Sequence, residues 1–194
     1  MIVVADTSPP LHLARIGRLD LLPAVAGNVT VPQTVWEELL REGTRADVAD
    51  AIRAASWIEV VPDPELVDLG LDPGETTAIL LAETLRADAL LIDERRGRAV
   101  AAARKIPVLG TLGIVAGARR LGALDEARPI IEALRADGFW LSDALVSELL
   151  RGLERFSFRW ITFLGSRSGE SGARCERRCR AAASSPFQRP ARWG

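Results

Sequence analysis

Residues 2–9, Ile-Val-Val-Ala-Asp-Thr-Ser-Pro, contain the pattern that decides the fold. The first four form a short continuous apolar run, which is typical of a strand buried on both faces of a sheet. The run ends at Asp6, and Ser8-Pro9 then favours the start of a helix, because serine is a common N-cap and proline fits the first helical position. The stretch therefore predicts a buried strand that leads directly into a helix, with Asp6 at the carboxyl end of the strand.

The same alternation of apolar runs and helical patterns continues to about residue 153. Further strands are predicted near residues 28–31, 57–61, 89–92 and 107–109. Helices are predicted over residues 8–17, 19–26, 32–42, 46–55, 74–86, 94–105, 111–121, 125–136 and 142–153. Continuous apolar strands that alternate with helices are typical of a parallel sheet covered on both faces, so the sequence predicts an α/β fold.

The composition changes abruptly after residue 153. Residues 1–153 carry 16 basic and 23 acidic side chains, whereas residues 154–194 carry 9 and 3 and include four of the five phenylalanines. This last stretch has Gly/Ser/Arg clusters and no helical or strand period, which is typical of a basic, irregular segment. We therefore divide the chain into a domain at 1–153 and a tail at 154–194. The tail is either a disordered basic segment or not a native part of the fold, and we expect no site in it.

The few histidines and cysteines, and the lack of long apolar segments, exclude several kinds of catalytic site, metal site and membrane protein. His12 is the only histidine, which excludes a mechanism with two imidazoles from one chain. Cys175 and Cys179 both lie in the tail, so the domain has neither a disulfide nor a thiolate zinc site. No apolar segment approaches the roughly 20 residues that a membrane-spanning helix needs, and the N-terminus lacks a basic leader segment. We therefore expect a soluble, cytoplasmic protein that does not associate with a membrane.

Acidic side chains occur where an α/β fold binds its ligands. In an open parallel sheet, ligands bind beyond the carboxyl ends of the strands. Asp6 closes the first predicted strand and Asp93 closes a later one. Glu75 stands at the start of the 74–86 helix, and Glu37 and Glu38 lie on the helix that follows the second strand. These side chains are the candidates for an acidic site at one edge of the sheet.

Each of these acids also has an ordinary structural explanation. The two strand-end aspartates are typical turn or N-cap residues. Asp72-x-x-Glu75 fits a capping box, and the local pattern favours that role for Glu75. Helical phase does not separate Glu37 from Glu38, because both flank the apolar stripe of their helix at similar angles. Spacing alone leaves these alternatives open.

Several linked stretches of the chain resemble the motifs of a prokaryotic branch of the PIN-domain family. They follow the family's order along residues 2 to about 150, and no motif is missing, which makes the signal far more specific than any lone carboxylate. The departures are mild, with Pro10 in place of an aliphatic residue and His12 in place of a small or apolar one. The matching stretches are Asp6-Thr7-Ser8-Pro9, Val31-Pro32-x-x-Val35-x-x-Glu38-Leu39, Gly74-Glu75-x-x-Ala78-Ile79, Leu91-Ile92-Asp93-Glu94-x-x-x-Arg98 and Val108-x-Gly110-Thr111-Leu112-Gly113.

The resemblance implies both a fold and an activity. The fold is a PIN-like, Rossmann-like three-layer sandwich around a mainly parallel sheet. The activity is that of a Mg²⁺- or Mn²⁺-dependent endoribonuclease, whose products would carry 5′-phosphate and 3′-hydroxyl ends. Members of this branch are often toxins of type II toxin–antitoxin pairs, like the VapC toxins. The resemblance therefore also implies an RNA substrate, a small antitoxin protein as partner, and possible homodimers.

The resemblance also assigns roles to particular residues. It selects Glu38 rather than Glu37 for the site, and it gives Ser8 a supporting role through hydrogen bonding. The catalytic and metal-binding roles fall on the four acids Asp6, Glu38, Glu75 and Asp93.

The chemistry of such a site explains why it needs acids alone. Carboxylates brought close together repel, and ionisation of one raises the pKa of the next. A hard divalent cation relieves this repulsion and prefers oxygen ligands. A bound cation activates water and stabilises charge on the leaving oxygen, so no histidine base is needed. This requirement agrees with a chain whose only histidine is His12.

A basic helix follows Asp93 in the sequence. Arg95, Arg96 and Arg98 are candidates for binding RNA phosphates around the acidic pocket, and Arg104 lies further along the same helix. A solvated helix face with some charge pairing explains these arginines equally well.

The tryptophans and the histidine have structural explanations. We expect Trp36, Trp57 and Trp140 to lie in the core or in an interface rather than to stack on bases. We expect His12 to be a helix-face residue rather than a ligand.

Other acidic or nucleotide-binding α/β enzymes fit less well. A haloacid-dehalogenase-type phosphotransferase needs a second aspartate where Ser8 stands, and a response-regulator receiver needs a lysine at the end of a late strand, whereas Lys105 precedes its strand. A dinucleotide-binding fold needs G-x-G-x-x-G after the first strand. The open alternative is a non-catalytic PIN-like module that binds RNA or a partner protein.

Overall fold

The computed structural model describes residues 1–141 and 146–147. Its strands are β1 (Val3–Ala5), β2 (Val29–Pro32), β3 (Ile58–Val61), β4 (Ala89–Leu91) and β5 (Val108–Leu109). Its helices are α1 (Ser8–Arg15), α2 (Leu21–Ala26), α3 (Gln33–Leu39), α4 (Ala46–Arg53), α5 (Pro73–Leu85), α6 (Arg95–Ala103), α7 (Thr111–Arg120) and α8 (Arg128–Ala136).

The five strands form one parallel sheet in the order β3-β2-β1-β4-β5. The chain moves from β1 outward to β2 and β3 on one side, and it places β4 and β5 on the other. Every residue of β1, β2 and β4 is buried, whereas the edge strands β3 and β5 are only partly so. The continuous apolar runs thus occupy the middle of the sheet, where both faces are covered.

The helices cover the sheet in two groups. Helix α5 contacts α3 and α6, and it packs against β1, β2 and β4. Helix α1 contacts α4 and α7, and α7 also contacts α2. The result is the predicted α/β three-layer sandwich, and the predicted mainly parallel sheet is parallel throughout.

Helix α5 is the most deeply buried helix that leads to the site. Ten of its residues are buried, among them Gly74, Glu75 and Thr77 near its amino end. A helix that is apolar on most sides lies in the interior of a protein. Helix α5 packs against three of the strands, and the Gly74 N–H in its first turn donates to the side chain of Glu38 on α3.

The structure differs from the predicted elements mainly at helix ends. The helix predicted over 32–42 ends at Leu39, because a turn follows in which Gly43 adopts a φ of 95° and the Thr44 N–H donates to the Arg41 carbonyl. Residues 146 and 147 are helical, but the rest of the helix predicted over 142–153 and the whole tail lie outside the described residues. No helix in the described part of the chain has the length and apolar character needed to cross a membrane.

Candidate active site at the carboxyl edge of the sheet

Two aspartates follow the two central strands. Asp6 comes directly after β1, and its N–H donates to the Leu91 carbonyl at the end of β4, at 2.9 Å. Asp93 stands two residues beyond that carbonyl. The chain order reverses between β1 and β4, and this switch point is where open α/β sheets bind ligands. Neither aspartate is the N-cap of the helix that follows it, since those positions are Thr7 and Glu94.

Helix α3 brings Glu38 to the same edge. The Thr7 hydroxyl donates to Glu38 Oε2, and the Gly74 N–H donates to Glu38 Oε1 at 3.0 Å. Glu37 is exposed and instead accepts a hydrogen bond from the Gln33 side chain. The structure thus separates the two glutamates that helical phase left equivalent, and it places Glu38 beside Asp6.

Glu75 lies in the first turn of α5 with only 7% of its surface exposed. Its Oε1 is buried without a hydrogen-bond partner. It lies against Gly97 of α6, where a Cβ would stand 2.5 Å from that oxygen and 2.4 Å from the Ile92 Cδ1. Gly97 therefore leaves room for this carboxylate, and any larger residue would press on it.

The predicted capping box forms only in part. The Asp72 side chain makes no capping hydrogen bond, although its main-chain N–H lowers the pKa of Glu75 by donating to the carboxylate. The prediction is wrong for the Asp72 side chain, whose charge instead raises the pKa of Glu75, and Glu75 also interacts with Asp6 at the acidic edge.

Asp93 is held by the start of α7. The Thr111 N–H donates to Oδ1 at 2.8 Å, and the Thr111 hydroxyl donates to Oδ2 at 2.6 Å. A Cβ at Gly110 would lie 2.8 Å from Asp93 Oδ1 and 2.9 Å from a guanidinium nitrogen of Arg98. Asp93 therefore has both oxygens occupied by one neighbouring residue and stands beside a cation.

The electrostatics show that the acids act on one another. Burial, together with the negative charges of Glu38 and Asp93, raises the pKa of Asp6 from 3.8 to about 6, although the amides of Thr7 and Ser8 act to lower it. Burial also raises the pKa of Glu75 from 4.5 to about 7, with the Asp6 charge as the next cause. Such mutual effects require proximity. The structure therefore brings all four predicted acids to one edge, while their roles in catalysis stay predictions.

The donor set suits a hard divalent cation. Every candidate donor is a carboxylate oxygen, and Mg²⁺ and Mn²⁺ prefer oxygen. Glu75 Oε1 is a buried acceptor without a donor. Burying such an atom costs free energy, and a cation that binds this oxygen would offset that cost. As the side chains stand, no three histidine, cysteine, aspartate or glutamate residues within 1–141 and 146–147 form a group that could hold a metal ion.

Ser8 contacts the site through its main chain. Its N–H lies 3.5 Å from Asp6 Oδ2, and this amide lowers the pKa of Asp6. The hydroxyl that contacts a site glutamate belongs to its neighbour Thr7.

The predicted RNA-binding arginines differ in their surroundings. Arg98 is half-buried and donates to the Ile92 carbonyl at 3.2 Å, so it lies within the acidic edge. Arg96 is exposed and donates to the Gly70 carbonyl, and Arg95 is exposed on the first turn of α6. Arg104 pairs with Glu83, as expected for a solvated helix face.

The histidine and the tryptophans take structural positions with one exception. His12 is half-buried, its ring meets Phe139 edge to face at 4.8 Å, and burial lowers its pKa. Trp36 and Trp57 pack against the core, as predicted. Trp140 is 85% exposed, so its placement in the core is wrong, and only the predicted interface role is left for it.

Sequence reasoning missed residues that hold the acids in place. Thr7 and Thr111 donate to Glu38 and Asp93, and neither was singled out, although both lie inside the family-like motifs. The signal for Thr7 is its position next to a strand-end aspartate. Three glycines that make room for carboxylates were also missed, because contacts between distant elements leave no local pattern; they are Gly74, Gly97 and Gly110.

Comparison with known proteins gives one result. Neither the curated proteins nor the solved structures include a significant match to this chain. A family model described as a PIN domain matches residues 2–155, which include the whole sheet and all four acids. On the strength of that match and of the parallel sheet with its acidic edge, the chain belongs to the PIN-domain family.

Proposed function

We propose that this protein is a Mg²⁺- or Mn²⁺-dependent endoribonuclease that hydrolyses RNA phosphodiester bonds. PIN domains have a nuclease-type fold and are commonly metal-dependent ribonucleases. The observation that supports the proposal is that Asp6 follows β1 at the switch point of the sheet and interacts electrostatically with Glu38, Glu75 and Asp93, which come from three other stretches of chain. Two of these acids have raised pKa values, which is a mark of functional sites.

The acids divide into two pairs by their surroundings. Glu38 and Asp93 each have both oxygens hydrogen-bonded, so their positions are fixed before any ligand arrives. Asp6 has main-chain amides as neighbours, those of Thr7 and, at 3.5 Å, Ser8, and Glu75 has an oxygen without a partner. Asp6 and Glu75 are therefore the acids with the most to gain from a bound cation.

A cation bound there would activate water for in-line attack on phosphorus and stabilise the leaving oxygen. The chain's own contribution is to position groups and charges. The fixed carboxylates hold their orientation without reorganising during the reaction. Arg98 stands beside Asp93 and is placed to balance charge when a phosphate enters, while Arg95 and Arg96 offer exposed cations for the RNA backbone.

The biological setting extends the same proposal. We propose that the protein acts in the cytoplasm as a VapC-like toxin of a type II toxin–antitoxin pair, held by a small antitoxin and able to form homodimers. The resemblance of residues 2 to about 150 supports this setting. The products would carry 5′-phosphate and 3′-hydroxyl ends.

A cleavage assay with a matched variant tests the activity. Purified wild-type protein should degrade single-stranded RNA with Mg²⁺ or Mn²⁺ and stop when EDTA is added. Asp6→Asn keeps the shape of the side chain but removes its charge, so it should lose cleavage by at least about 100-fold, the scale of a lost electrostatic group in a site. Single-stranded DNA serves as the second substrate, since it reports preference for RNA.

The controls separate this activity from contamination and from the non-catalytic alternative. Asp50→Asn changes an exposed acid of α4 and should cleave like wild type. If Asp6→Asn cleaves as well as wild type, the nuclease is a contaminant and the proposal fails. If wild type binds RNA but never cleaves it with either metal, the chain is a non-catalytic PIN-like module.

A further inference from the structure

Two of the four acids are held by the same arrangement of donors. Glu38 accepts from the Thr7 hydroxyl on one oxygen and from a main-chain N–H in the first turn of α5 on the other. Asp93 accepts from the Thr111 hydroxyl on one oxygen and from the N–H of Thr111, the first residue of α7, on the other. In both cases, one threonine hydroxyl and one helix-terminal amide fix the two oxygens of a carboxylate.

The geometry points to Thr7 and Thr111 as positioning residues that orient Glu38 and Asp93 for cation binding. This inference rests on the proposed function and goes beyond it, since it assigns roles to two residues outside the acidic set. Each carboxylate oxygen has two lone pairs, so one hydrogen bond on each oxygen leaves acceptor capacity for a ligand. The threonines therefore restrict the carboxylate without blocking it.

The surroundings of Thr111 give the strongest support for a positioning role. Its side chain is 0% exposed and stands on a helix whose other buried residues, Ile114, Val115 and Ala118, are apolar or small. Burying a hydroxyl costs free energy unless it is hydrogen-bonded. The Thr111 hydroxyl donates to Asp93, the acid that follows β4. Gly110, just before it, leaves the space that Asp93 and Arg98 occupy. The start of α7 is thus shaped around one carboxylate.

The same contacts would also exist if Asp93 served only to cap α7. A pure capping role and a positioning role differ in what they do to the cation. Loss of a cap lowers the free energy of unfolding and leaves the cation affinity of the folded protein unchanged. Loss of a positioning hydrogen bond behind a metal ligand typically costs 10- to 100-fold in metal affinity or activity.

The test compares valine and serine at each threonine in the full-length chain. Thr111→Val keeps the shape and removes the hydroxyl, whereas Thr111→Ser keeps the hydroxyl. Mn²⁺ binding is measured by isothermal titration and by the electron paramagnetic resonance of free Mn²⁺, with unfolding curves and RNA cleavage recorded in parallel. We expect Thr111→Val to bind Mn²⁺ about 10- to 100-fold more weakly and Thr111→Ser to stay within a few-fold of wild type.

A second pair and a control guard the result against misfolding. Thr7→Val and Thr7→Ser should repeat the contrast at Glu38, and they decide the matter if Thr111→Val does not fold. Thr77→Val removes another buried hydroxyl, which donates to the Pro73 and Gly74 carbonyls inside α5. It should lower the unfolding free energy without weakening Mn²⁺ binding.

The outcomes distinguish this inference from the function on which it rests. If wild type binds Mn²⁺ and cleaves RNA while both valine variants bind Mn²⁺ equally well, the positioning role is wrong and the ribonuclease stands. If the serine variants lose as much affinity as the valine variants, the hydroxyl contact is not the cause and the inference also fails. If wild type binds no Mn²⁺ and cleaves nothing, the proposed function itself falls.

Discussion

Glu37 and Glu38 are neighbours in the chain with opposite surroundings. Glu38 is half-buried and held by Thr7 and Gly74, whereas Glu37 is exposed and bound to Gln33 on its own helix. The pair therefore offers the same chemical change at two adjacent positions, of which one belongs to the acidic edge.

We expect Glu38→Gln to reduce RNA cleavage by at least about 100-fold, because it removes a charge from the proposed metal site. Glu37→Gln should cleave like wild type, since a surface substitution away from such features has little effect. Initial cleavage rates and Mn²⁺ titrations of both variants check this contrast. Equal losses in the two variants would show that Glu38 has no special role.

The raised pKa values of Asp6 and Glu75 predict how stability depends on pH when no metal is bound. Both groups bind protons more tightly in the folded state, with a pKa of about 6 against 3.8 for Asp6 and about 7 against 4.5 for Glu75. Their contribution to the free energy of unfolding is therefore fully present at low pH, and it is lost as the pH rises through the pKa values of the folded state. For the deeply buried Asp6, the loss is on the order of 2–3 kcal/mol.

Urea unfolding in EDTA between pH 4 and pH 8 measures this effect. The free energy of unfolding of wild type should fall relative to that of Asp6→Asn as the pH rises, because asparagine has no charge to bury. Parallel pH profiles for the two proteins would contradict the shift. Added Mn²⁺ should restore wild type more than the variant, since a ligand of the folded state stabilises it.

At the scale of elements, three glycines set how closely helices approach the acids. Gly97 of α6 meets Glu75 of α5, and a Cβ there would also press on Ile92. Sequence patterns predicted both helices well, because their apolar periods and Gly/Pro boundaries are local. They could not predict that one glycine is required by a carboxylate from another helix, since that need arises only in the packed structure.

Gly97→Ala should therefore destabilise the protein by about 1–3 kcal/mol, the usual cost of overpacking, despite the better helix propensity of alanine. It should also weaken Mn²⁺ binding, because the new methyl group displaces Glu75. Gly113→Ala on α7 is the control, since its Cβ would stand 2.3 Å from Cδ1 and 2.9 Å from Cγ of Leu109, a comparable overpacking against a side chain that is not an acid. Mn²⁺ binding as tight in Gly97→Ala as in Gly113→Ala would show that Glu75 is not held there.

The exposed arginines at the start of helix α6 lead to a prediction of how RNA affinity depends on salt concentration. Arg95 and Arg96 are exposed, and removing one arginine–phosphate interaction lowers the slope of log affinity against log salt by about 0.7 for single strands. In the non-cleaving Asp6→Asn background, Arg95→Gln with Arg96→Gln should bind RNA more weakly and with a shallower slope.

Arg53→Gln is the matched control for these arginines, because Arg53 is exposed on α4 and pairs with Asp50. Fluorescence anisotropy at several salt concentrations measures the slopes. A slope that stays unchanged in the double variant would assign the RNA backbone to another surface.

At the scale of the whole molecule, the order β3-β2-β1-β4-β5 creates the site. The sequence predicted that the strands are parallel and that Asp6 and Asp93 follow two of them, because apolar runs and their ends are local features. Residue spacing alone could not predict that β1 and β4 are neighbours. The family resemblance implied the PIN-like fold and with it the grouping of the four acids. The choice of Glu38 over Glu37 likewise came from the resemblance, and the contacts of Thr7 and Gly74 now give it a physical reason.

The division of the chain at residue 153 stays a prediction. The composition changes there, and the family match ends close by, at residue 155.

The most direct test of the acidic edge is a crystal structure of the wild-type protein soaked with Mn²⁺, with anomalous scattering recorded at the manganese edge. We expect a peak within about 2.5 Å of carboxylate oxygens of Asp6 and of at least one of the other three acids, as for a hard divalent cation on oxygen ligands. The peak should be absent from Asp6→Asn crystals grown and soaked in the same way. Full Mn²⁺ occupancy elsewhere, with no peak at the carboxyl ends of β1 and β4, would contradict the account.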